Sequence, residues 1–172
     1  PAARHNAGGV GTATDALHFG GLPASALTFS FNGTAWTAGG NMASNDSQIS
    51  CFGISTAAVS ATGELGTSPS NTSEEYDGTS WASGGNVSTT RTQAAGFGTL
   101  TAGAIAGGYA GGASAATEEY DGTSWTAGGD LTIASYGGAA GGTQAAGIFA
   151  VGQTPPGTTN SVHYYNGTAW TA

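Results

Sequence analysis

The sequence predicts an all-β fold made of four consecutive, similar antiparallel sheets, and two observations carry this prediction. The chain has 172 residues, and its tryptophans, Trp36, Trp81, Trp125 and Trp170, are spaced 45, 44 and 45 residues apart. Each tryptophan ends a copy of one short motif, so a structural unit is repeated four times. In addition, the 32 glycines are spread too densely through the chain for helices of ordinary length.

The repeated motif predicts the third and fourth strands of each unit and the turn between them. An aromatic residue is followed by Asn or Asp, then Gly, Thr, a small residue and tryptophan. Asn-Gly and Asp-Gly between short β-prone runs favour tight hairpin turns, since both residues tolerate positive φ. The aromatic and tryptophan positions are expected to pack the units against one another. The eight residues at these positions are Phe31, Trp36, Tyr76, Trp81, Tyr120, Trp125, Tyr165 and Trp170.

Two further runs precede the aromatic residue and predict the first and second strands. The second run is apolar and ends near a glycine, as in 102–108 (Ala-Gly-Ala-Ile-Ala-Gly-Gly). The first run is rich in Gly and Ala, as in 136–142 (Tyr-Gly-Gly-Ala-Ala-Gly-Gly). Small side chains suit the crowded axis of a β-propeller, where the first strands of all blades meet. A repeat of 44–45 residues with four short strands also has the length of one propeller blade.

We therefore expect a single propeller domain over 1–172, with blades at roughly 1–38, 39–83, 84–127 and 128–172. Four copies of the unit are compatible with more than one arrangement of the blades. Four blades could close on themselves, or they could form part of a larger ring whose other blades come from another chain or segment. A solenoid stack of the units is a third alternative.

The units resemble kelch repeats, in which a glycine pair closes the second strand, Tyr-Asp lies in the third and Trp in the fourth. The third unit matches this pattern at Gly107, Gly108, Tyr120, Asp121 and Trp125. The run 118–129 (Glu-Glu-Tyr-Asp-Gly-Thr-Ser-Trp-Thr-Ala-Gly-Gly) is similar to Gly/Ala/Thr-rich kelch-like repeats of bacteriophage virion and tail-associated proteins. The resemblance implies a structural or interaction module in a virion or other extracellular assembly.

The charge balance excludes two classes of partner. The net charge is −8, and the chain has two arginines and no lysine. Nucleic-acid binding and attraction to an anionic membrane both need many cationic side chains, so we expect neither partner. No run approaches the ~20 apolar residues of a membrane span.

The candidate catalytic groups favour a non-enzymatic function. Glycosidases use two carboxylates, and the pairs Glu74-Glu75 and Glu118-Glu119 are the candidates here. Adjacent strand residues point to opposite faces, and an active site is not expected in two copies, so we interpret the pairs as solvated strand charges.

The potential metal ligands are scattered along the chain. His5, His18 and His163 lie in different units, and Cys51 is the only cysteine. No spacing among them is typical of a metal site, so no metal and no cofactor are expected, and Cys51 is read as a small buried side chain.

Partner contacts are expected in the segments that differ most between the units, 66–73 and 154–161. We expect these segments to be connections between second and third strands on one rim. The candidate contact residues are Thr67, Asn71, Thr154, Pro155, Pro156 and Asn160. The expected partners are other virion or assembly proteins, a host-surface glycan, or further copies of the chain. A stand-alone, lectin-like glycan-binding propeller is the alternative function.

Overall fold

The computed structural model describes residues 3–172 and confirms an all-β fold of four four-stranded antiparallel sheets. In each sheet the spatial order of the strands follows the chain. Sheet 1 contains β1 (Gly8–Gly11), β2 (Ala16–Phe19), β3 (Thr28–Phe31) and β4 (Trp36–Ala38). Sheet 2 contains β5 (Ser50–Ile54), β6 (Ala57–Leu65), β7 (Ser68–Tyr76) and β8 (Trp81–Ser83). Sheet 3 contains β9 (Ala95–Thr99), β10 (Ala102–Ala106), β11 (Thr117–Tyr120) and β12 (Trp125–Ala127). Sheet 4 contains β13 (Ala139–Thr143), β14 (Ala146–Thr154), β15 (Gly157–Tyr165) and β16 (Trp170–Thr171). Over residues 3–172 no helix is present that could cross a membrane.

The four sheets pack in chain order through their first strands. β5 lies between β1 and β9, and β9 packs on β13. Small residues allow this approach, because a Cβ atom added at Gly96 would overlap the backbone of Cys51 in the preceding sheet. Within 3–172, β13 and β1 share no comparable packing.

A chain of backbone hydrogen bonds joins the four sheets along their inner edge. The N–H of Gln48 donates to the Asn6 oxygen (2.8 Å), Gln93 to Gln48 (3.2 Å) and Gly137 to Gln93 (2.9 Å). All four residues have positive φ, between 52° and 65°. This common conformation turns successive amides toward the neighbouring sheet, and the four residues line a shared cavity of about 390 Å³.

Three tryptophans lie at the junctions between sheets. Each packs against a phenylalanine of the preceding sheet: Trp81 on Phe19 (centroids 4.7 Å apart), Trp125 on Phe52 (6.1 Å) and Trp170 on Phe97 (5.8 Å). Their indole N–H groups donate to hydroxyls of that sheet, at Thr28 (2.8 Å), Ser73 (3.4 Å) and Thr117 (2.9 Å) respectively. Trp36 differs, because no sheet precedes it among the described residues, and it is 42% exposed.

The expected contact loops are instead long hairpins. β6 and β7 are nine residues each, as are β14 and β15, and the connections between them are two-residue turns, 66–67 and 155–156. Asn71 and Asn160 therefore lie within strands. The Ser and Thr residues of these segments, which are typical of loops, instead form regular cross-strand pairs. Ser70, for example, pairs with Gly63.

The interpretation of the glutamate pairs as solvated charges is wrong. Glu74 and Glu118 are 5% and 3% exposed, and Glu75 and Glu119 are half-buried. Because side chains alternate along a strand, the first glutamate of each pair faces the loop that precedes the first strand of its own sheet. The second glutamate faces the next sheet. Each carboxylate is held by hydrogen bonds there, which sequence alternation alone does not reveal.

Candidate functional site

A polar groove lies beside the turn of the β6–β7 hairpin, near the inner edge of the sheets. Its volume is about 240 Å³. We call it the rim groove, and its lining residues are Gln48, Glu64, Thr67, Pro69, Thr92, Gln93 and Tyr109. The groove is therefore built by four segments: the first-strand entries of sheets 2 and 3, the β6–β7 hairpin, and the connection that follows β10.

Side-chain hydrogen bonds fix the orientation of the two glutamines in the groove. The Gln93 amide donates to the side-chain oxygen of Gln48, and the Gln48 amide donates to the Glu64 carboxylate. Both glutamines are also held by the backbone hydrogen bonds of the inner edge. The side-chain groups are thus pre-organised, with a carboxylate at one end of the row and the Gln93 side-chain oxygen at the other.

An exposed aromatic ring lies at the mouth of the groove. Tyr109 is 37% exposed, and its backbone pairs with Thr92 in both directions (3.0 and 2.8 Å). Its ring packs edge-to-face on Tyr136 of the next sheet, with centroids 5.0 Å apart. The phenol ring is held in place by these contacts while the side chain remains accessible to a ligand.

This combination of groups suits a polyhydroxylated ligand. An exposed aromatic face stacks on the apolar C–H face of a ring, and a carboxylate, amides and hydroxyls hydrogen-bond to its substituents. The rim groove has all of these groups within one cavity, and none of its lining residues is cationic.

The sequence placed one of its candidate contact residues in this groove and missed the others. Thr67 lines the rim groove. Asn71 instead donates to the backbone oxygen of Val87 (3.1 Å), and Thr154, Pro155, Pro156 and Asn160 belong to the second long hairpin. The signal that could have found Gln48 and Gln93 is their recurrence, with Asn6, at one position of successive units.

The histidines and the cysteine have separate surroundings. The Nδ1 atom of His163 lies 2.8 Å from the Thr132 hydroxyl, and His18 packs edge-on to Trp36. Burial lowers the pKa of both histidines and raises the pKa of the Cys51 thiol, which donates to the Gly9 oxygen (3.5 Å). In the described part of the chain, no three His, Cys, Asp or Glu residues are grouped as metal ligands.

Comparison with protein-family models gives no match, and comparison with curated proteins gives no significant match either.

Proposed function

We propose that this chain is a non-enzymatic interaction module, a set of kelch-like propeller blades that contacts a partner through the rim carrying the two long hairpins. The rim groove is the observation that carries the proposal. There an exposed tyrosine, two oriented amides and a carboxylate lie together on a rigid β scaffold. The placement of the module in a virion, or in another extracellular assembly, rests on the resemblance of its repeats to bacteriophage tail-associated proteins.

The chemistry of the rim groove favours a host-surface glycan as its occupant. The Tyr109 ring offers a stacking face, while Glu64 and Gln93 offer hydrogen-bond acceptors for sugar hydroxyls. The net charge of −8 disfavours sulfated or phosphorylated glycans through repulsion, so neutral sugars and amino sugars fit best. The two long hairpins, with the exposed Leu65 beside the turn of the first, are the surfaces proposed for contact with neighbouring assembly proteins.

A printed array of bacterial and animal glycans, followed by titration calorimetry on the best neutral or amino sugar, tests this proposal. We expect saturable binding that Tyr109→Ala weakens roughly tenfold, because one stacking contact is lost. Tyr109→Phe keeps the ring and should bind within about twofold of the parent chain. Ile133→Ala, at an exposed apolar residue outside the groove, is the matched control and should have no effect.

Two results would reject the glycan assignment. One is the absence of saturable binding to any glycan on the array. The other is binding that Tyr109→Ala leaves unchanged, which would place the ligand elsewhere. A chain that binds glycan but is released from its source as a free protein, without a larger particle, would be a stand-alone lectin.

A further inference from the structure

The three junctions inside the chain share a common way of burying apolar bulk. One cross-strand pair on the first two strands of each sheet faces the next sheet. The pairs are Val10 with Leu17, Phe52 with Val59, and Phe97 with Ala104. A Cβ atom added at Gly103 or Gly147 would overlap the ring of Phe52 or Phe97, so the phenylalanines fill recesses that these glycines leave.

Two of these junctions also bury a matched polar pair. The hydroxyl of Tyr120 donates to Glu75 of the preceding sheet, and that of Tyr165 donates to Glu119 (2.7 Å). Each junction thus consists of a forward face, which supplies the bulky pair, and a backward face, which supplies the recess and the two aromatic rings. In the second and third junctions the forward face also supplies the carboxylate acceptor.

Within residues 3–172, the forward face of sheet 4 and the backward face of sheet 1 have no partner. On sheet 4, Ile148 is 39% and Tyr164 is 57% exposed. On sheet 1, Ala16, His18 and Trp36 line an empty recess of about 350 Å³. These are the two halves of the junction that is already formed three times, so the structure itself indicates what kind of surface covers each of them.

The residues of both open faces differ from those of the other units in a compatible way. Position 31 is Phe where Tyr76, Tyr120 and Tyr165 stand in the other units, so no hydroxyl is buried there. The acceptor position of sheet 4 is Tyr164 in place of a glutamate, so no carboxylate would be buried against Phe31.

The forward face of sheet 4 also has a bulky apolar side chain. The first strand has Gly141, where a Cβ would meet nothing within 4 Å, and its cross-strand partner is the large Ile148. Val162 replaces the hydroxyl that receives the tryptophan N–H elsewhere. Tyr164, on the same side of that strand, is 57% exposed and carries a hydroxyl group.

The backbone of the inner edge ends in complementary groups. Its three hydrogen bonds run from Asn6 to Gly137, and none joins Gly137 back to Asn6 within residues 3–172. Sheet 1 therefore has the Asn6 N–H available and sheet 4 has the Gly137 carbonyl, which are the donor and acceptor of a fourth bond of the same kind.

We propose that the forward face of sheet 4 docks on the backward face of sheet 1 of a second copy of the chain, head to tail. The contact continues the junction already present between the sheets. Such a contact is heterologous, so it closes into a ring of discrete size if the rotation permits and otherwise extends as a filament. This association is independent of whether the rim groove binds glycan.

The test measures native mass by light scattering after size exclusion at 1–100 µM chain. The wild-type chain should run as a multiple of the chain mass. Ile148→Asp blocks the forward face and Ala16→Asp blocks the recess, and each should weaken association roughly 100-fold by burying an unpaired charge. Ile54→Asp is the matched control, since Ile54 is 55% exposed in sheet 2 and away from both open faces, and it should assemble as the wild type does.

Mixing the two blocked variants distinguishes a head-to-tail contact from any other. Each variant keeps one intact face, so an equimolar mixture should form a complex of two chains joined by one wild-type junction. Raising NaCl from 0.05 to 0.5 M should strengthen wild-type association, because each copy carries a net charge of −8.

Four results would overturn the proposal. The first is a wild-type chain that stays monomeric at 100 µM and high salt, and the second is a blocked variant that assembles like the wild type. The third is a mixture of variants that gives no two-chain complex, and the fourth is loss of assembly in Ile54→Asp. Far-UV circular dichroism establishes that each variant is folded, and the wild-type measurement decides the question even if one variant is not.

Discussion

Units 2 and 3 bury a glutamate at the same place in the sheet but surround it with opposite charges. In unit 3, Glu118 pairs with the fully buried Arg91 at 3.0 Å. In unit 2 the position of Arg91 is taken by Asp46. The backbone oxygens of the two residues accept from equivalent glycines of the preceding unit, Asp46 from Gly21 (2.9 Å) and Arg91 from Gly63 (3.1 Å). Asp46 is 2% exposed, so the unit buries two acids together.

The feature common to both units is that the glutamate caps the loop that precedes the first strand. Glu74 accepts from the N–H groups of Ala43 (2.7 Å) and Ser44 (2.8 Å) and from the Ser44 hydroxyl (2.6 Å). Glu118 accepts from the N–H of Ser88 (2.8 Å). The carboxylate therefore holds the loop in both units, and the arginine is one means of neutralising it.

Removing the cation should give the largest effect of any change in this comparison. Arg91→Ala leaves Glu118 buried without a counter-charge and removes one of the two donors to the Ala116 oxygen, which keeps the Gly107 N–H (both 3.0 Å). We expect a loss of about 3–5 kcal/mol in the free energy of unfolding, measured by urea denaturation at pH 7.

The double variant Arg91→Met/Glu118→Met is the control, because it removes both charges and keeps apolar volume. It should recover much of the loss. If Arg91→Ala alone costs less than about 1 kcal/mol, the ion pair is not what stabilises the loop of unit 3.

Removing the buried acid Asp46 of unit 2 should instead increase the free energy of unfolding. Burial, and then the charge of Glu74, raises the pKa of Asp46 above its ordinary value of 3.8. The fold therefore favours the protonated acid, and the stability that this contributes is lost as pH rises through the folded-state pKa. Asp46→Asn should stabilise the chain at pH 7 by about 1 kcal/mol, and the gain should disappear towards pH 3.

Urea midpoints of Asp46→Asn and the parent chain at pH 7 and pH 3 measure this difference. Asp15→Asn, at an exposed acid of unit 1, controls for the general change in net charge. Equal stabilisation by both variants would mean that Asp46 acts only through net charge.

The sequence predicted the elements of the fold because they rest on local signals. The Asn-Gly and Asp-Gly turns fix the pairing of the third and fourth strands, and the spacing of the tryptophans fixes the unit length. The long hairpins were missed since their strands are polar and read as loops, although Ser and Thr at alternate positions pair well across two strands.

The candidate site depends on contacts between units, which local patterns do not encode. Gln48, Gln93 and Tyr109 come together because sheets 2 and 3 meet at the inner edge, and the positive φ of the glutamines has no sequence signature. Likewise, alternation correctly separated Glu118 from Glu119, but the burial of both depends on Arg91 and Tyr165, which are 27 and 46 residues away in sequence.

The smallest expected effect is at an exposed acidic position whose surroundings are the same in units 2 and 3. Asp77 accepts from the N–H groups of Thr79 and Ser80, both at 2.8 Å, and Asp121 makes the same two bonds in its own turn. These hydrogen bonds lower the pKa of both carboxyl groups below 3.8. The stabilisation is therefore present above that value and is lost as pH falls through the folded-state pKa.

Asp77→Asn and Asp121→Asn should each reduce the loss of stability between pH 5 and pH 2 by a similar, small amount, because asparagine keeps the turn and does not titrate. Asn32 and Asn166 already form this turn in units 1 and 4, with N–H to oxygen distances of 2.9–3.0 Å. Urea midpoints across that pH range measure the two variants and their combination, whose effects should add. A clear inequality between the single variants would contradict the equivalence of the two turns. It would show that units 2 and 3 differ in more than the buried charges at Asp46 and Arg91.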